Sequence, residues 1–203
     1  CARRAPKPRC GHVIISHTPH GVVCGVELSN LGAHTTLGKY PLHAHMCGNA
    51  SALAFAANAI HETYHRSLVV HSTSDALFAN NVAYDGTGHM YVLENGLELR
   101  NSIVGNVGMV TWPPAPAWSC PGHRCAGDGG CSFGVGDSIE ACGSRDDDHA
   151  EVFWLANPEN DVIGNVAVGG LCEADYECGL SNDLDNCNPG NWDVYMVEAV
   201  STT

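Results

Sequence analysis

The chemistry this chain can offer is concentrated in its first half. Pro41-Leu42-His43-Ala44-His45-Met46 carries two histidines at i and i+2, and His71 and Glu94 follow at intervals of about two dozen residues. On a strand, the period of two puts Leu42, Ala44 and Met46 on one face and both imidazoles on the other. Two such nitrogens suit one metal ion or a general acid/base pair. A neighbouring carboxylate, Glu94, would complete a two- or three-histidine site for a divalent cation, or raise the pKa of His71 so that it acts as a general acid near neutral pH. As a plain polar ladder, the same residues would only solvate one face of a sheet. His45, His71 and Glu94 are the catalytic candidates, and His43, Arg66, His89 and Tyr40 the candidates for holding a substrate.

Arg66 suits a bidentate grip on a carboxylate or sulfate, or else an ion pair with Glu62 or Asp85. Tyr40, Tyr64 and Trp154 can stack on sugar rings, although aromatics on strands are more often core. A glycosidase of the usual kind needs two carboxyl groups flanking the scissile bond, and Glu94 with Asp85 or Glu98 is the pair available. There is no Gly-x-Ser-x-Gly, no phosphate loop and no zinc-knuckle spacing.

These residues need elements that place them side by side. Residues 58–71 (NAIHETYHRSLVVH) and 81–94 (NVAYDGTGHMYVLE) align without a gap at an offset of 23. The alignment sets Arg66 on His89, Glu62 on Asp85, Leu68 on Tyr91, Val70 on Leu93 and His71 on Glu94. Asn58 and Asn81 head the two segments after similar apolar approaches, and Asn101 and Asn165 read as the third and fourth anchors. Short strands with polar corners, repeating every 20 to 25 residues, predict a solenoid whose rungs stack their strands in parallel. Asn tolerates left-handed corners and can form a hydrogen-bonded ladder. The expected architecture is all-β, a right-handed parallel β-helix. With rungs about 4.8 Å apart, His45 or Met46, His71 and Glu94 would form one outward column.

The rest of the chain fits one domain over residues 1–203 with an insertion. Residues 1–11 read as an irregular leader and 12–37 as two short strands and a loop. Residues 111–149, rich in Cys, Pro and Gly, read as a disulfide-stapled insertion. A second cysteine-rich loop runs from Cys172 to Cys187, and a final apolar strand from Trp192 to Val200. Eleven cysteines point to an oxidising compartment with several disulfides, and Asn49-Ala50-Ser51 is a glycosylation sequon. No apolar run is long enough for a transmembrane helix, and no direct membrane insertion is expected. The chain opens on Cys1 without a signal-peptide pattern, as a piece of a longer chain would. Nine Lys+Arg against 22 Asp+Glu give a net charge of −13, which disfavours nucleic acid and anionic surfaces.

Residues 38–48 (GKYPLHAHMCG) resemble the GRYPxHFHMxG stretch of the cell-migration-inducing hyaluronidase and transmembrane protein 2 group, shared with fibrocystin-like proteins. Asn58-Ala59-Ile60-His61, residues 69–73, 80–85 and 93–98, and Phe153-Trp154-Leu155-Ala156-Asn157-Pro158 resemble later motifs of that family in the same order. The resemblance implies the right-handed parallel β-helix of a secreted or cell-surface protein. It further implies hyaluronan binding and calcium-dependent depolymerisation, with His43, His45, His71, Glu94 and Arg66 as the positions carried over. Ala44 stands where the family has Phe, and the stretch from Cys120 to Cys142 has no counterpart. The charge of −13 fits a polyanionic substrate poorly. The expected function is therefore binding, and possible depolymerisation, of an extracellular polysaccharide or glycoprotein glycan. The alternative is a non-catalytic adhesion or receptor module of the fibrocystin-like type.

Overall fold

The computed structural model describes residues 11–33, 36–112, 124–125, 131–132, 150–168 and 194–199. Among them there is no helix, and the strands stack as a parallel β-helix. One sheet holds β1 (Val13–Ser16), β4 (Leu42–Asn49), β7 (Leu68–Ser74), β10 (Tyr91–Leu93) and β15 (Phe153–Leu155), all parallel neighbours in that order. A second column runs through β2 (His20–Cys24), β5 (Ala52–Ala56), β8 (Leu77–Ala79) and β11 (Ser102–Val104). A third runs through β3 (Glu27–Ser29), β6 (Ala59–His61), β9 (Val82–Thr87) and β12 (Val107–Trp112). β16 (Asp161–Val168) closes both, pairing β11 with its first half and β12 with its second, and bending at Gly164.

Residues 12–37 thus hold three strands where two were expected, because the first rung already visits all three columns. The 23-residue offset is the observed register: Leu68 pairs Tyr91, Val69 pairs Val92 and Val70 pairs Leu93.

Alternation fills the interior. Phe55, Phe78, Ile103 and Val162 pair in sequence along the second column, all at most 4% exposed. The two Phe rings meet edge to face at 5.6 Å. Burying each such side chain stabilises by about 1.5–3 kcal/mol. The third column passes from Leu28 and Ile60 to the smaller Ala83, Gly108 and Ala167. Gly108 must be small, since a Cβ there would lie 2.2 Å from Val152 Cγ1.

The corners carry the other organising interaction. Before each corner asparagine stands one residue in the left-handed region: Ala57, Asn80, Gly105 and Gly164 precede Asn58, Asn81, Asn106 and Asn165. The Asn58 side-chain amide donates to Asn81 Oδ1 at 2.9 Å, Asn81 to Asn106 at 2.9 Å and Asn106 to Asn165 at 3.0 Å. Each Oδ1 also accepts the backbone N–H of the asparagine below. Asn101 does not belong to this ladder. It occupies a different corner, where it donates to Asn160 Oδ1 at 3.0 Å. Apolar-then-Asn patterns occur at both corners of one rung, so the pattern does not say which corner is meant.

Thr111 and Trp112 belong to β12, so the insertion expected at 111–149 begins after them. Its interior lies outside the described residues, apart from the backbone of an antiparallel pair, β13 (Arg124–Cys125) and β14 (Cys131–Ser132). The leader at 1–10 and the loop Cys172–Cys187 also lie outside them. The final strand is β17 (Val194–Ala199), antiparallel to β16. Cys24 and Cys47 are free thiols, and the disulfides expected among the remaining cysteines lie outside the described side chains.

Replacing Asn81 with Ala removes the acceptor for two Asn58 donors and both donors to Asn106 and Phe55, all in the interior. At about 1–3 kcal/mol per stranded group, Asn81→Ala should lower unfolding free energy by about 3 kcal/mol or more in urea titrations. The exposed Asn95→Ala should change it by only about 0.5 kcal/mol. Equal effects would contradict the ladder's role.

Candidate functional site

The outward face of the β1–β4–β7–β10 sheet carries two columns two residues apart. The first is Ser16, His45, His71 and Glu94: Ser16 pairs His45, His45 pairs His71, and the Glu94 N–H donates to Val70 O at 3.0 Å, which seats Glu94 beside His71. The second is His43, Val69, Val92 and Trp154.

That second column is not open to water as alternation alone suggests. Tyr40, fully buried just before β4, packs with Val69 and Val92 and sets its ring edge-on to His43 at 4.9 Å. His43 is consequently 0% exposed. Met46 departs in the opposite sense. A register shift follows His45, Met46 adopts φ 52°, and its side chain is half exposed rather than turned into the core with Leu42 and Ala44.

Glu94 is the centre of the polar column. Its Oε1 accepts from the Tyr40 hydroxyl at 2.5 Å and from Arg66 Nη1 at 3.0 Å, while its Oε2 lies 3.3 Å from His71 Nδ1. Arg66, just before β7, thus pairs with Glu94, a partner 28 residues on that the local spacing of Arg66 with Glu62 and Asp85 does not suggest. The Arg66 side chain is 5% exposed, those of His71 and Glu94 28% and 20%. The guanidinium also lies 5.8 Å from the Tyr40 ring centre. His45 is half-buried with Nδ1 at 3.2 Å from Ser16 Oγ, and its ring meets those of His71 at 4.9 Å, His43 at 5.0 Å and His17 at 5.8 Å.

Burial dominates the protonation of this group. It pushes His43 down to about 4, against the opposing effect of the Gly38 carbonyl. His45 is lowered by burial and by the neighbouring His71 and His17. Tyr40 is raised by burial and by the Glu94 charge, so it stays a hydrogen-bond donor. With neutral His43 donating Nδ1–H to Gly38 O at 3.0 Å, its Nε2 is left as a bare acceptor, buried and without a hydrogen-bond partner.

Five candidates, His43, His45, His71, Glu94 and Arg66, converge with Tyr40. His89 stacks above Arg66 as aligned, but it is fully buried, accepts from the Glu151 N–H at 2.9 Å and lies under the Trp154 ring at 4.8 Å. Tyr40 and Tyr64 are buried, whereas Trp154 is 41% exposed. Neither carboxylate partner considered for Glu94 flanks a common space with it. Glu98 is 0% exposed and accepts the Ser72 N–H, and Asp85 lies on β9 of another column, accepting from Trp112 Nε1. Ser16 and His17 escaped sequence reasoning. The signal was present, since HVIIS aligns on the strand holding His43 and His45.

Among the described residues one grouping can hold a cation: His43, His71 and Glu94, whose ligand atoms lie within 4.8 Å of one another. Calcium takes six to eight oxygen ligands, and two imidazoles with one carboxylate do not fit it.

Because Glu94 balances a buried Arg66, Glu94→Ala should cost about 3 kcal/mol or more, the penalty of stranding a buried charge. Glu94→Gln, which keeps an acceptor for Arg66 and Tyr40, should cost clearly less. Denaturant unfolding of the two variants checks this, and equal losses would mean that Arg66 finds its stability elsewhere.

Comparison with known proteins supports the β-helix fold. The family described as CEMIP beta-helix matches residues 9–176. The human cell surface hyaluronidase CEMIP2 is 30% identical over 171 residues, covering 78% of this chain and 12% of that protein. The zebrafish cell surface hyaluronidase is 30% identical over 155 residues, covering 71% of this chain and 11% of that protein. A G8 domain-containing protein of Dictyostelium discoideum is 29% identical over 168 residues, covering 81% of this chain and 10% of its own length. The chain thus spans about a tenth of the length of these relatives, and it belongs to the CEMIP beta-helix family.

Proposed function

We propose that this β-helix domain binds an extracellular polysaccharide along the Ser16–His45–His71–Glu94 column and takes part in its depolymerisation. The observation that carries the reading is a half-buried run in which the His45 ring meets the His71 ring and His71 faces a carboxylate whose other oxygen is held by Arg66 and Tyr40. That carboxylate is fixed before any ligand arrives, so no ordering cost falls on the binding step. His45, kept neutral by its surroundings, is suited to take a proton from a sugar hydroxyl or water, and His71 with Glu94 to return one to the leaving oxygen.

The cell surface hyaluronidases among the relatives support a glycan as the ligand and a cell-surface or secreted setting. No helix among the described residues is long and apolar enough to cross a membrane. The exposed Asn49 of the sequon is compatible with glycosylation. Hyaluronan itself is less well supported, because Arg66 is already committed to Glu94 and the chain carries a charge of −13. A second reading, a non-catalytic adhesion module, is favoured by that same closed Arg66–Glu94–Tyr40 contact, which stiffens a sheet without any ligand.

Incubation with size-defined glycans, with and without calcium, separates the readings. Depolymerisation should fall at least a hundredfold in His45→Ala and in Glu94→Gln, the usual size of an acid/base contribution being about 10²–10⁴. Binding without cleavage by the wild type would favour the adhesion module. Cleavage unchanged in both variants would move the chemistry away from this column.

A further inference from the structure

The misfit of calcium leaves three converging donors to be explained. His43, His71 and Glu94 bring one ligand atom each within 4.8 Å of the others. One edge of the triangle, His71 Nδ1 to Glu94 Oε2, is 3.3 Å. Two donors held 2.0–2.1 Å from a tetrahedral ion sit about 3.3 Å apart, so this edge already has the required length. Donors on one ion cannot be more than about 4.2 Å apart at those bond lengths. The widest edge, at most 4.8 Å, must close by up to about 1.5 Å to reach the tetrahedral spacing, a movement that falls on the half-exposed His71 and Glu94 side chains.

His43 supplies an independent pointer. Its side chain is 0% exposed, and its Nε2 has no hydrogen-bond partner although it is a buried polar atom. Buried polar atoms are almost always satisfied, and an exception calls for a missing partner. The opposite nitrogen donates to the Gly38 carbonyl at 3.0 Å. A ring nitrogen tied to a backbone carbonyl, with the other left bare, is the arrangement that orients metal-binding histidines. Glu94 is oriented in the same manner, its Oε1 held by Arg66 and Tyr40 while Oε2 faces His71.

We infer that His43, through Nε2, together with His71 and Glu94 forms a binding site for a divalent transition-metal ion of the zinc class. With the ion bound, His71 Nδ1 and Glu94 Oε2 serve as ligands, so the proton return assigned to this pair belongs to the metal-free protein. Imidazole with carboxylate suits zinc and its neighbours, whereas calcium and magnesium prefer all-oxygen sets. Three protein ligands leave a fourth position for water or a ligand oxygen. Metal entry is from the half-exposed side, past His71 and Glu94, since His43 lies beneath Tyr40.

The test contains no glycan, so its outcome is separate from that of the polysaccharide reading. The whole chain, stripped with chelator, is titrated with zinc alone by calorimetry and its bound metal counted. The wild type should bind an equivalent that excess calcium does not displace. His71→Ala and Glu94→Gln, checked for unchanged circular dichroism, should each bind that equivalent at least tenfold more weakly. Because cysteines elsewhere can bind zinc, X-ray absorption at the zinc edge is recorded on wild type with one equivalent. A first shell of nitrogen and oxygen is expected whatever the fate of the variants. A sulfur shell, displacement by calcium, or equal zinc affinity in wild type and both folded variants would each overturn the site.

Discussion

The asparagine ladder is the constraint on which everything else in this molecule depends. A parallel rung has no fixed vertical position of its own, because backbone pairing is satisfied equally well after a slip of two residues. The Asn58–Asn81–Asn106–Asn165 ladder removes that freedom by demanding one residue at one corner of each rung, with both side-chain amide and backbone N–H satisfied upward. Slippage would strand several buried donors at once, each at a cost of about 1–3 kcal/mol. With the corner pinned, the neighbouring columns follow, including Phe55 on Phe78 and His45 on His71.

The polar column inherits that registry, but its electrostatic character comes from what folds over the sheet. Tyr40 and Arg66 lie on segments that precede β4 and β7, and both reach across the outer face to Glu94. Their arrival divides the outward side of one sheet into a sealed strip around His43, Val69 and Val92 and a half-open strip around His45, His71 and Glu94. Two histidines two residues apart therefore have different environments. One is sealed and neutral with a bare nitrogen, and the other can meet solvent.

The similarity to cell surface hyaluronidases covers most of this chain but about a tenth of those proteins. A shared β-helix supplies a rigid wall on which side-chain columns can be varied, and fold alone does not name a reaction. The physical content at this wall is a carboxylate buttressed by Arg66 and Tyr40 and faced by imidazoles. The acidic surroundings of the chain, at −13 overall, favour cations and neutral sugars over polyanions near it.

Sequence by itself determined the stacking of the rungs. The gapless offset of 23 is the pairing of Leu68 with Tyr91, and a period of two sent Leu68, Val70 and Leu93 inward and His71 and Glu94 outward. These are local properties: strand alternation and rung length are written in consecutive residues. Asn101 shows where that reading stops, since two corners of one rung carry similar Asn signals and only the path of the chain separates the ladder of Asn101 and Asn160 from that of Asn106. Tertiary structure decided that His43 is buried, that Met46 bulges outward, that Arg66 answers Glu94 and that Glu98 is sealed against Ser72. The contacts of Glu94 and Glu98 join residues 26 to 54 apart that no period in the chain records, while His43 is covered by Tyr40 folding back on its own strand and Met46 is turned out by a local register shift.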